Sequence, residues 1–235
     1  MRPISDRFTT TVKTLVVAEL VVYLFYVLAR DARPFMMTHL ALGPRFFAGE
    51  LWQPFTSLFT TLSFLGFLFS AIGLWYVGTG IEQSRGRARF LVLFFGGGVL
   101  ANLAIAGAWH VRGYGPVPFV DGCSFSVIAL FVAFARIHAY QQVQFWPTTL
   151  MVQARYLLLI MLGLSVAIIS AQRDWHLLAG LAVAVIVGFF GAAPGGLTAI
   201  RTFLAHARDI SRARRLRRRF GVIEGGERRP KKYVN

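Results

Sequence analysis

One cysteine in 235 residues, Cys123, rules out a disulfide within the chain, and no cluster of cysteine and histidine offers zinc a binding site. Charge is equally sparse. Only 15% of residues are charged, against about a quarter in a soluble domain. Acidic residues are the scarcest, 10 against 25 lysines and arginines, for a net charge of +15. No pair of apolar segments broken by glycine and proline recurs in matching halves, which argues against a transporter. These shortages exclude a disulfide-stapled domain, a zinc protein and an ordinary soluble enzyme. What is present in excess is apolar: 56% hydrophobic residues, 22 phenylalanines and a mean hydropathy of +0.58. Twelve of the 25 basic residues lie beyond residue 200. The composition is that of a polytopic membrane protein with a basic tail.

Six segments reach or approach the ~20 apolar residues that span a bilayer core. They are 11–29, 54–78, 89–109, 119–137, 150–171 and 175–194. The first is expected to stay as a span, because Leu28-Ala29-Arg30-Asp31 has no small-residue cleavage pattern. The connections 80–89 and 169–175 are expected to be tight loops. Lys and Arg counts orient the bundle: with the N-terminus inside, 20 basic residues face in and 5 face out, and the bias survives without the tail, at 8 against 5. An all-α polytopic protein follows, with six transmembrane helices over 11–194. A short cytoplasmic N-terminus, 1–10, precedes the bundle, and a basic cytoplasmic tail, 195–235, follows it.

Two residues stand out within that frame. Ser124, in Gly122-Cys123-Ser124, lies near the outer start of the fourth segment, and His176 lies near the outer start of the sixth. A histidine at membrane depth must bond, ionise or react, because lipid offers it nothing. If the two helices pack side by side, serine and histidine form a dyad that activates a weak hydroxyl nucleophile. The plainer alternatives are a packing serine and a helix-end histidine bonding water or headgroups. Cys123 is the better intrinsic nucleophile, but adjacent helical residues point ~100° apart, so at most one of the pair can face His176. Glu19, midway along the first segment, is either a proton or cation site or a carboxyl bonded to a neighbouring helix.

Four pieces of sequence together resemble the rhomboids, a family of six-helix intramembrane serine proteases. Trp52-Gln53-Pro54-Phe55 enters the second helix much as the family's tryptophan–arginine stretch does. Gly78, Glu82 and Gly86 form a complete GxxxExxxG, read as a close-packing face. Gly122-Cys123-Ser124 matches the first three positions of the GxSG nucleophile motif, and Trp175-His176 with Gly180 resembles the opening of the sixth helix. The resemblance implies a six-helix rhomboid-like bundle with Ser124 and His176 as catalytic residues. It also implies a transmembrane or membrane-anchored protein as substrate, and no metal or cofactor. A place in a bacterial cytoplasmic membrane, with both termini inside, accords with it.

The departures from the family pattern carry equal weight. The family's HxxxN, which helps bind the oxyanion, falls on Gly66 and Ser70. Losing one such donor costs about 10²–10³ in rate. Gly122, Cys123 and Ser70 are left as oxyanion or supporting groups. Phe125 stands where glycine usually follows the nucleophile and is expected to crowd the incoming carbonyl. Ile128 stands where a tyrosine often lies beneath the histidine ring. Two readings stay open: a slow peptidase, or an inactive relative that binds transmembrane segments. Small residues Ser126, Ala129 and Ala133 are expected to face Ala179, Ala182 and Ala184. The apolar loop 31–51, broken at Gly43-Pro44, is expected to lie in the interface. Phe203, Ile210, Leu216 and Phe220 among eight arginines suit a helix on anionic lipid headgroups. The end from Glu224 reads as disordered, and nucleic acid is not an expected partner.

Overall fold

The computed structural model describes residues 8–112, 120, 122–140, 142–144 and 151–193. The tail, with its expected amphipathic helix, and most of the N-terminal segment lie outside them. The described chain is predominantly helical, and six apolar helices carry the bundle. Four are long and apolar enough to span: α1 (Thr10–Leu28), the unit Phe64–Arg85, α6 (Arg87–Arg112) and α8 (Ala154–Gln172). Two are shorter, α7 (Ser124–Ile137) and α9 (Leu177–Gly191).

Between α1 and the second span the chain runs along the bundle as α2 (Arg33–His39), a 3-10 turn (Pro44–Phe46) and α3 (Gln53–Thr56). An antiparallel bridge between Leu42 and Val120 ties this segment to the residues just before α7. The second span does not run unbroken from residue 54. The polar, β-branched Thr60-Thr61 stretch interrupts it, and helix resumes after Ser63, whose Oγ accepts from the Gly66 N–H at 3.1 Å as an N-cap. From Phe64 the chain passes through α4 (Phe64–Gly73), a π turn (Leu74–Gly78) and α5 (Thr79–Arg85).

The expected loop over 80–89 shrinks to one residue. Gly86, at φ +87°, ends α5, and Arg87 already begins α6. The fifth span starts at Ala154 rather than 150, because Met151–Gln153 pairs antiparallel with Gln142–Gln144 in a short β1–β2 hairpin. Arg173, at φ +59°, caps α8 and opens the tight turn into α9.

α7 is the centre of the bundle: every residue from Phe125 to Ala135 except Phe131 is buried. A helix apolar all round belongs there. α1 and α8 present mostly exposed faces, with α1 burying only the stripe Thr11, Val12, Leu15 and Glu19. The face that α9 turns to α7 is Gly180, Ala184 and Gly188, at spacing four, rather than the expected Ala179 and Ala182; Ala182 is exposed. A Cβ at Gly188 would lie 2.4 Å from the Ala129 carbonyl oxygen, so the backbones are in direct contact. Ser126 faces α6 instead, 2.1 Å from where a Cβ at Gly98 would sit. At the C-terminal end of α9, Arg89 donates to the carbonyls of Gly191 and Ala193, and Arg136 donates to that of Phe189, so two cations cap the helix.

Candidate active site

Ser124 opens α7 and is exposed, whereas Cys123 before it and Phe125 after it are buried. Gly122 makes this start possible. Its φ of +78° lies in the region that favours glycine, and it turns the chain from the Leu42–Val120 bridge into the helix. The Gly122 N–H donates to two carbonyls, Ser57 at 2.9 Å and Thr60 at 2.8 Å. The turn carrying Ser124 is thereby fastened to the break in the second span.

His176 sits one residue before α9 and is half-buried. One turn on, Gly180 meets Phe125, whose Cε1 lies 3.3 Å from the position of a Cβ there. Phe125 faces Gly180 and Ala129 faces Gly188, so α7 and α9 run parallel and in contact. Ser124 and His176 thus occupy corresponding ends of two helices in contact. The Trp109 ring of α6 lies 5.3 Å from the imidazole at 57° and is itself buried. A rigid, desolvated ring in that position limits the rotamers of His176. The aromatic expected from α7 is absent, because Ile128 packs in the same apolar cluster as Trp109, and α6 supplies one instead. Sequence reading missed Trp109. The available signal was the spacing-four face Ala101, Ile105 and Trp109, all buried, with Ile105 against Gly180. An open apolar cleft of about 650 Å³, lined by Ala104, Gly107, Ala108 and Ala179 among others, reaches His176 from the α6 side.

Phe125 does not crowd the exposed side of Ser124. It points into the α7–α9 contact, which corrects the expectation from its motif position. Ser70 is buried and already engaged. Its Oγ lies 2.6 and 2.5 Å from the two Glu19 carboxyl oxygens and 3.1 Å from Cys123 Sγ. Thr61 Oγ1 donates to the same carboxyl at 2.9 Å. Glu19 is therefore bonded to its neighbours, the second of its two sequence readings. Cys123 is buried in the same cluster and not on the exposed face of Ser124.

The remaining motif residues hold the frame. Glu82 accepts hydroxyl hydrogen bonds from Thr9 and Thr11, each at 2.5 Å, which fastens α1 to α5. Gly78 allows close approach, since a Cβ there would stand 3.0 Å from Phe90 and 3.2 Å from Val12. Gly86 has nothing within 4 Å and serves the turn rather than a packing face. Trp52 donates from Nε1 to the His39 carbonyl at 3.0 Å. Gln53, where the family pattern has arginine, accepts from the Gly43 N–H at 3.0 Å and donates to the Thr38 carbonyl at 3.0 Å and to Glu50 at 2.8 Å. Partial burial works against a charge on Glu50, but bonds from Arg45, Gln53 and His39 outweigh it and hold the carboxyl below its ordinary range. Among the described residues, no three His, Cys, Asp or Glu side chains converge as metal ligands would.

A family model described as the Rhomboid domain matches residues 48–199. The chain is also 26% identical over 149 residues to the Rhomboid protease GluP of Bacillus subtilis (strain 168). That match covers 63% of this chain, which spans only 27% of the relative's length. The family match takes in the entry to the second span, the GxxxExxxG stretch and the starts of both α7 and α9, and so this integral membrane protein belongs to the rhomboid family.

Proposed function

We propose that this rhomboid is an intramembrane serine peptidase whose nucleophile is Ser124 and whose general base is His176. The observation that carries the proposal is an exposed serine at the start of one helix and a half-buried histidine at the corresponding start of a second, parallel helix in direct contact with it. A relative whose name is that of a protease supports it. In this scheme Ser124 Oγ adds to the scissile carbonyl carbon while His176 takes its proton. The tetrahedral intermediate collapses with loss of the amine, which His176 protonates, and water then hydrolyses the acyl-serine. The oxyanion rests on backbone N–H groups at the start of α7, where a helix leaves its first donors unpaired and its dipole favours negative charge. Gly66 has no side chain to add and the Ser70 hydroxyl is held by Glu19, so turnover is slow. The substrate is a membrane protein cut near the outer boundary of the bilayer, with both termini of this chain in the cytoplasm.

The same two positions favour a second reading, an inactive relative that binds transmembrane segments without cleaving them. Reconstitution in liposomes with a single-span substrate separates the two. The peptidase reading predicts a product that disappears with either Ser124→Ala or His176→Ala. Co-purification of intact substrate, unchanged by both substitutions, establishes the binder.

A further inference from the structure

We infer that Glu19, on a helix that carries none of the proposed catalytic residues, is a positioning residue for the Ser124 turn, acting through Ser70 and Cys123; this rests on the peptidase reading above. The carboxyl is 2% exposed and stands at the junction of three elements. From α4 it is met by Ser70 Oγ, and from the break before α4 by Thr61 Oγ1. From the turn before α7 it is met by Cys123 Sγ at 3.6 Å, and Ser70 lies 3.1 Å from the same sulfur. Thr61 Oγ1 also lies 3.6 Å from the position of a Cβ on Gly122.

The turn Gly122–Ser124 is thus held from two sides. The carbonyls of Ser57 and Thr60 hold its backbone at Gly122, and the Glu19 cluster holds its buried side chain at Cys123. Buried polar groups at membrane depth keep their partners because nothing else there can satisfy them. Their geometry is therefore imposed on the turn. Cys123 is buried and the adjoining Ser124, first residue of α7, is exposed, so holding Cys123 inward holds Ser124 outward. Ser70, at the position that serves the oxyanion in the family pattern, is here the middle link of the lock.

The lock is tested by two readouts on the full-length protein in detergent. The first is alkylation of Cys123 by a small maleimide, which needs no catalysis; the second is the rate at which a fluorophosphonate acylates Ser124. Glu19→Leu is expected to raise Cys123 alkylation at least tenfold and to lower Ser124 labelling about tenfold. Glu19→Gln, which keeps the shape and the bonds, is expected to restore both toward the unsubstituted values. Ser70→Ala, which leaves the Thr61–Glu19 bond in place, is expected to act like Glu19→Leu if that variant does not purify. Cys123 alkylation unchanged in Glu19→Leu, or in Ser70→Ala where that replaces it, overturns the lock, and so does a Glu19→Gln variant as impaired as Glu19→Leu. Failure of the unsubstituted protein to take the fluorophosphonate contradicts the peptidase reading alone, because the alkylation series still decides the lock.

Discussion

Phe125 and Trp109 show how far a side chain's neighbours can differ from what its place in a motif implies. Phe125 replaces a glycine of the family pattern, yet its ring fills the space that Gly180 leaves between α7 and α9. Phe125→Gly therefore removes packing rather than an obstruction. A fall in stability of the order of 3–5 kcal/mol, read as a lower thermal midpoint in detergent, is the expected result. Trp109 acts on the imidazole from α6. Trp109→Ala is expected to slow Ser124 labelling about tenfold, equivalent to ~1.4 kcal/mol, and Trp109→Phe to keep most of the rate. The Gly122 turn and the two helix starts that carry Ser124 and His176 were legible from motif spacing. Trp109 was not, because the sequence of α6 alone does not say which of its faces meets α9.

At the scale of elements, bilayer thickness made the six apolar helices legible, and side-chain chemistry moved their ends. Thr60-Thr61 breaks the second span, Ser63 restarts it, and Gly86 reduces an expected loop to one residue. The contact between α7 and α9 was expected on small residues, and small residues make it. The face is Gly180, Ala184 and Gly188, however, because strict spacing four keeps a stripe on one side of a helix where 179, 182 and 184 do not. Gly188 is the tightest point of that contact. A side chain there meets the Ala129 carbonyl oxygen 2.4 Å from its Cβ, and backbone cannot swing aside. Gly188→Leu is expected to destabilise the protein by roughly 1–3 kcal/mol or more and to abolish Ser124 labelling by parting the two helices. Normal labelling at an unchanged thermal midpoint would mean that the contact does not align the pair.

At the scale of the whole molecule, the distribution of Lys and Arg favours one orientation, and with it the side of the membrane on which the proposed chemistry would occur. Arg85, at the end of α5, belongs to the basic set expected on the inner side. Cys123 is buried, so Arg85→Cys supplies an accessible thiol for labelling. An impermeant maleimide added to intact cells is expected to leave it unmodified until the membrane is opened, and labelling from outside would invert the topology. The central claim, that Ser124 is a nucleophile, is tested most directly by fluorophosphonate labelling of the purified full-length protein with the adduct mapped by mass spectrometry. The account predicts an adduct on Ser124, absent in Ser124→Ala and strongly reduced in His176→Ala. No adduct on the unsubstituted protein, or equal labelling in Ser124→Ala, contradicts it.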